Sequence, residues 1–158
     1  MAANGLTIWV DADALPSEIK DIILRAAQRL KVRTVLVANK NISVGSSTMV
    51  SFVRVGKGAD VADSYIAEAS AVGDFCITAD IPLAAVLVEK KLVVIDPRGD
   101  QYSEETVAER LSIRDFMAGL REAGVQTGGP RPFDAKAKQR FAARLDSLLS
   151  RSLRDRVQ

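Results

Sequence analysis

Short apolar runs alternate with longer segments of helical periodicity along this chain. The run over 6–10 is rich in β-branched and aromatic residues and predicts a buried strand, which Asp11 and Asp13 follow at once. Similar runs predict four more strands, over 34–37, 50–55, 75–78 and 92–95. Apolar residues at helical spacing between them predict helices over 16–31 and 59–72 and a short one from residue 81. The alternation predicts a three-layer α/β fold with a mainly parallel, five-stranded sheet.

The C-terminal third of the chain predicts two further helices. Ser103 is expected to cap the first, which continues toward Gly124 with a break near Ser112. A Gly/Pro-rich linker over 125–133 precedes a basic helical arm over about 134–150. Because this last helix has apolar residues on one face, we expect it to dock on the rest of the chain, with a frayed tail beyond it.

Length and composition favour a small globular protein. The 158 residues suit a single domain over 1–158, with its core over about 6–124. We expect no membrane association and a cytoplasmic location, because no apolar run is long enough to cross a bilayer and the N-terminus lacks a signal core. Cys76, the one cysteine, lies in an apolar run and is expected to be a buried thiol. The sequence does not determine the oligomeric state.

The chain contains no histidine, which restricts its chemistry. Nucleophile pairs that need histidine, histidine-ligated zinc and histidine acid–base catalysis are all excluded. The charge is uneven, since residues 131–158 carry +5 and residues 1–130 carry −3. The basic arm either presents cations to phosphates or simply keeps a surface helix soluble, and the sequence leaves both explanations open.

Aspartates follow most of the predicted strands. Asp11 and Asp13 come after the first strand and Asp80 after the fourth, and the carboxyl ends of parallel strands meet at one edge of a sheet. Three further aspartates and one threonine lie near the predicted strand ends or at the start of the helix after the third strand: Asp60, Asp63, Asp96 and Thr78. Crowded carboxylates repel unless a cation neutralises them, and oxygen ligands alone favour Mg²⁺ or Mn²⁺. The alternative is that each aspartate caps a helix or shapes a turn.

Several motifs together resemble the bacterial YaiI/YqxD family over residues 6 to about 150. They are Val10-Asp11-Ala12-Asp13-Ala14 with Pro16, Gly58-Ala59-Asp60-Val61-Ala62-Asp63, Thr78-Ala79-Asp80-Ile81-Pro82-Leu83-Ala84, Arg98-Gly99, and Gly128-Gly129-Pro130 with Pro132-Phe133. That family is placed among PIN-like domains, which include Mg²⁺- or Mn²⁺-dependent ribonucleases. The resemblance implies that Asp11, Asp63 and Asp80 are the core acids, that Asp13 and Asp60 assist, and that Thr78 orients them. Leu15 departs from the family, which commonly has cysteine there.

Three functions fit these observations. The first is a divalent-metal-dependent nuclease acting on RNA, with Asp11, Asp13, Asp63 and Asp80 as catalytic acids, Asp60 as a further metal ligand, and Lys40, Lys57, Thr78 and Arg98 binding substrate. The second resembles haloacid-dehalogenase-like phosphatases, with Asp11 as nucleophile and Asp13 as acid. The third is a PIN-like module that binds RNA or a partner without chemistry.

Overall fold

The computed structural model describes residues 5–45, 47–58, 60–128 and 133–157. Residues 1–4, Ala59, and the Gly129-Pro130 and Pro132 of the linker motif lie outside the described residues. Six strands form one sheet, and their bounds are β1 Thr7–Asp11, β2 Arg33–Ala38, β3 Val50–Arg54, β4 Phe75–Ile77, β5 Val93–Ile95 and β6 Gln101–Tyr102. The predicted number of five strands is therefore wrong. The two-residue β6 is too short to give a periodic signal in the sequence.

The strand order is β3-β2-β1-β4-β5-β6, and the pairs are parallel except for the antiparallel pair of β5 and β6. β1 and β4 lie side by side in the middle of the sheet, with Val10 opposite Ile77. The residues that follow these two strands therefore emerge together at the same edge. This register brings Asp11 next to Thr78.

The described residues form five α-helices, which surround the sheet. Their bounds are α1 Ser17–Leu30, α2 Val61–Ala69, α3 Ile81–Glu89, α4 Glu104–Glu122 and α5 Ala135–Val157, and a short 3-10 helix spans Ala12–Ala14. α4 runs through Ser112 without the predicted break. Its start at Ser103 is a capping box, in which the Ser103 hydroxyl accepts a hydrogen bond from the Thr106 N–H. α5 continues to Val157, so the predicted frayed tail is wrong.

Alternating side chains of the central strands build two cores. Ile8 and Val10 pack with α1 and α5, whereas Trp9 packs with α2 and α3. This alternation of buried residues on both faces is the pattern that a doubly covered strand requires. The sheet is therefore the middle of three layers.

α5 docks on one outer layer, as its apolar face predicts. Phe141 and Leu145 are fully buried, and Arg29 of α1 donates to Asp146 of α5 at 2.6 Å. Gly99 touches the same helix, since a Cβ on it would lie 3.0 Å from the Arg140 backbone and its φ is +92°. This turn therefore requires glycine. No helix in the described part of the chain is both long enough and apolar enough to span a bilayer.

Candidate active site

The 3-10 helix after β1 turns the chain sharply at the carboxyl edge of the sheet. Asp11 ends the strand and Asp13 lies in the short helix, so both carboxyl groups stay at this edge. Leu15 follows and is 6% exposed, because its side chain packs in the core with α1. A residue at this position therefore faces the core, and the departure from the family pattern leaves the acids in place.

A hydrogen-bonded chain links the ends of β1 and β4. Thr78 is fully buried, and its hydroxyl donates to Asp11 Oδ2 at 2.7 Å while accepting from the Asp80 N–H at 3.0 Å. Asp80 then begins α3, where its Oδ1 accepts from the Leu83 N–H at 3.0 Å. Capping is thus part of what Asp80 does. The hydroxyl of Thr78 is occupied by both contacts, which makes Thr78 a positioning residue for the two acids.

Among the described residues, only one of the two oxygens of the Asp13 carboxyl group has a hydrogen-bond partner. Its Oδ2 accepts from the Asn39 N–H at the end of β2, at 2.9 Å. Its Oδ1 is buried and has no hydrogen-bond partner among the described residues. A buried carboxylate oxygen without a donor is costly unless a water, a ligand or a cation contacts it.

Burial and crowding perturb two of these acids. The pKa of Asp11 is raised, first by burial and then by the charges of Asp80 and Asp13, although the Thr78 hydrogen bond acts in the opposite direction. The pKa of Asp63 is raised to about 7, first by burial and then by Asp80, through its charge and a hydrogen bond, and by Asp11 and Asp60. The interaction between the carboxyl groups of Asp63 and Asp80 therefore contributes to the raised pKa of Asp63. Such perturbed acids in a cleft are typical of functional sites.

These acids line one pocket of about 360 Å³ at the carboxyl edge of the sheet. The lining acids are Asp11, Asp13, Asp63 and Asp80. Asn39 and Gly58 complete part of the wall, and the positive φ of Gly58, +141°, is one that favours glycine. Asp60 lies at the start of α2, makes no capping hydrogen bond, and lines an adjacent pocket of about 340 Å³ with Asp63 and Asp80.

The donor set suits a hard divalent cation. It consists of carboxylate oxygens, and one of them, the buried Asp13 Oδ1, has no hydrogen-bond partner among the described residues. No group of three or more acidic or cysteine side chains among the described residues has the geometry to hold a metal ion by itself. Mg²⁺ usually binds through one or two carboxylates and completes its shell with water and substrate phosphates. The described side chains alone therefore do not make a complete metal site, and an ion held here would need water and substrate oxygens as further ligands.

The predicted substrate-binding cations do not line this pocket. Lys40 and Lys57 are exposed and adjoin lining residues in the chain, Asn39, Gly56 and Gly58, and Arg98 is half-buried, but none of the three is a lining residue. Asp96 is a turn residue, as the alternative explanation held. Its Oδ1 accepts from the N–H groups of Arg98 and Asp100 at 2.9 and 3.0 Å, and its Oδ2 accepts from Arg110 at 3.1 Å.

Two residues of the site were not among the predicted site residues. Asn39 follows β2, so the rule that identified Asp11 and Asp80, namely that residues after parallel strands meet at one edge of the sheet, could have identified it as well. Arg114, which lines the adjacent pocket, lies within α4 far along the chain, and only the packing of α4 against α3 brings it near. Cys76 is buried as predicted, and burial raises the pKa of its thiol well above the ordinary value.

Comparison with known proteins identifies the family. A family model described as "Uncharacterized BCR, YaiI/YqxD family" matches residues 9–151. A UPF0178 protein of Myxococcus xanthus is 56% identical over 146 residues, 92% of this chain and 95% of that protein. One from Syntrophobacter fumaroxidans is 57% identical over 141 residues, covering 89% and 92% of the two chains. No solved structure gives a significant match. The chain belongs to the YaiI/YqxD family.

Proposed function

We propose that this protein is a divalent-metal-dependent nuclease that cleaves phosphodiesters of RNA. The observation that carries the proposal is the meeting of Asp11, Asp13, Asp63 and Asp80 around one pocket, with the pKa of Asp63 raised to about 7. Carboxylates held this close repel one another and destabilise the fold unless a cation or a bound proton neutralises part of their charge. A cation bound among these carboxylates would reduce the repulsion and would also attract a negatively charged phosphate group.

One or two of the carboxylates of Asp11, Asp13, Asp63 and Asp80 would hold Mg²⁺ or Mn²⁺ together with water and substrate phosphate, and Asp60 would assist from the adjacent pocket. When bound, such an ion supplies Lewis acidity that activates water and neutralises charge at phosphorus. Thr78 fixes the orientation of Asp11 and of the Asp80 main chain, and the Asn39 N–H fixes Asp13. Near pH 7, Asp63 is only partly ionised, and its protonated form must release the proton before it can bind a cation.

The pocket favours this proposal over the phosphatase alternative. A haloacid-dehalogenase-like reaction needs Asp11 as a nucleophile and Asp13 as an acid, and it does not account for the contact between Asp63 and Asp80. RNA is proposed as the substrate because the YaiI/YqxD family is placed among PIN-like domains, which include ribonucleases, and because the last 28 residues of the chain carry a net charge of +5. The PIN-like classification of the fold belongs to the same proposal.

Calorimetric titration with Mg²⁺ and with Mn²⁺ tests the metal site. Wild type should bind the ion, and Asp11→Asn and Asp80→Asn should each lose binding, because each removes a charged ligand. Asp21→Asn is the matched control, since Asp21 is exposed on α1 and does not line the pocket. Equal binding by all four proteins would refute the site.

A cleavage assay on labelled single-stranded RNA tests the reaction. Asp11→Asn should lower the rate by at least about a hundredfold, whereas Asp21→Asn should not change it. RNA that binds equally to wild type and Asp11→Asn without being cleaved would favour the binding module. An acid-stable phosphoenzyme trapped on Asp11 would favour the phosphatase.

A further inference from the structure

The acid pocket has a continuation on the side of α4. The adjacent pocket shares Asp63, Ala79 and Asp80 with the acid pocket, and Arg114 of α4 also lines it. Among the described residues, Arg114 is the one lysine or arginine that lines either pocket. Because they share these residues, the two pockets adjoin and together form a groove lined by acids and by Arg114.

Arg114 does not neutralise these acids. Within the described residues, its guanidinium makes an ion pair with Asp115 of the same helix, at 3.4 Å, and none with Asp60, Asp63 or Asp80. Both members of that pair are exposed, by 52% and 72% of their side chains, so the contact holds the guanidinium weakly. The side chain of Arg114 is thus free to turn toward a ligand in the groove.

We propose that Arg114 is a substrate-binding residue that contacts a phosphate of the nucleic-acid strand beside the scissile one. The inference rests on the proposed nuclease function and adds a residue that the motifs do not contain. A groove lined by carboxylates repels a phosphodiester, so a strand that enters it needs a positive contact besides the cation. Arginine suits this contact because its planar guanidinium binds two phosphate oxygens at once.

The test uses Arg114→Gln in the full-length protein, with Arg114→Lys to retain the charge. Arg121→Gln is the matched control, because Arg121 lies about two turns further along α4, is exposed, and lines neither pocket. The measurements are the KM and kcat for cleavage of a short labelled RNA and, in the Asp11→Asn background, its affinity by fluorescence anisotropy at several salt concentrations. Thermal unfolding checks that each variant is folded.

Arg114→Gln should raise KM and weaken binding by about tenfold, with a smaller effect on kcat. The slope of log affinity against log salt should fall by about 0.7, the value of one lost phosphate contact on a single strand. Arg114→Lys should restore part of the affinity, and Arg121→Gln should behave as wild type. A structural role for Arg114 would leave the salt slope unchanged.

The outcomes distinguish this inference from the proposed function. If wild type cleaves RNA and Arg114→Gln has an unchanged KM, Arg114 is not a phosphate ligand and the nuclease proposal stands. If wild type binds RNA without cleaving it, the nuclease proposal fails, and weaker binding by Arg114→Gln still supports the contact. Absence of RNA binding by wild type in the presence of Mg²⁺ overturns both.

Discussion

The raised pKa of Asp63 shows how a single residue of this pocket lowers the free energy of unfolding. Its pKa rises from 3.8 to about 7 because burial and three neighbouring carboxylates disfavour the charged form. Between these two pH values the folded protein keeps a proton that the unfolded chain releases. The free energy of unfolding therefore falls as the pH rises through this window and is constant, for this group, above and below it.

Replacing Asp63 by asparagine should remove that cost. We expect Asp63→Asn to melt a few degrees above wild type at about pH 8, with the difference shrinking as the pH is lowered toward about 4. Thermal unfolding across this range in metal-free buffer measures it, and Asp60→Asn, at the exposed edge of the site, should show a smaller effect. A pH-independent gain in Asp63→Asn would mean that its titration is not the cause.

Thr78 is expected to control the ionisation of Asp11. Thr78→Val keeps the shape of the side chain but removes the donor to Asp11 and the acceptor for the Asp80 N–H, so unfolding should become easier by about 1.5–3 kcal/mol. Loss of that hydrogen bond also raises the pKa of Asp11 further, so the acid limb of the pH–activity profile should move to higher pH. Chemical denaturation and the profile measure the two effects. Thr78→Ser retains the hydroxyl, and a shift in that variant as large as in Thr78→Val would contradict the hydrogen-bond explanation.

Single elements were predictable where their signal was local. β1 and β4 are short apolar runs that end at acids, and Ser103 begins α4 with a recognisable cap. The predicted break at Ser112 is wrong because a serine inside a helix is tolerated when its neighbours continue the turn. β6 was missed because it exists through its pairing with β5 rather than through a pattern of its own.

Gly99 packs against the backbone of α5, and a substitution there tests how much this contact stabilises the protein. Gly99→Ala should destabilise the protein by about 2 kcal/mol or more, because the positive φ disfavours alanine and the new Cβ would meet the Arg140 backbone. Gly119→Ala is the matched control on α4. A Cβ on Gly119 would have no neighbouring atom within 4 Å, so this variant should gain about 0.5–1 kcal/mol from helix propensity. Denaturant unfolding measures both, and equal effects would show that the contact with α5 is unimportant.

For the whole molecule, the sequence predicts which acids follow strands but not which helix lies beside them. Parallel strands bring the ends of β1 and β4 to one edge, as the local patterns predict, but the approach of Asp11 to Asp80 also requires β1 and β4 to be neighbours in the sheet. The position of Arg114 beside these acids could not be predicted from the sequence, because it depends on the strand order and on the packing of α4 against α3. The functional roles of these residues stay predictions.

The acids at the two edges of the sheet differ in how fully their oxygens are hydrogen-bonded. At the edge opposite the pocket, Asp74 is buried, and its carboxylate accepts from the Thr7 N–H at 3.2 Å, from Trp9 Nε1 at 3.0 Å and from the Ala71 N–H at 2.9 Å. Each oxygen of this acid is satisfied, in contrast to Asp13. A saturated carboxylate stabilises the fold and has no free oxygen for a ligand.

The same chemical change at the two edges should therefore have opposite effects. Asp74→Asn should lower the free energy of unfolding by about 2–3 kcal/mol, since an amide cannot accept all three hydrogen bonds, while the protein that remains folded at low temperature keeps its activity. Asp11→Asn should lose activity and keep its stability at neutral pH, because the pKa of Asp11 is raised and a neutral group is tolerated there. Denaturant unfolding and RNA cleavage, measured on both variants at one low temperature, separate the effects. Loss of cleavage in well-folded Asp74→Asn would show that the two edges are coupled, because a stability residue alone cannot alter the reaction of molecules that are folded.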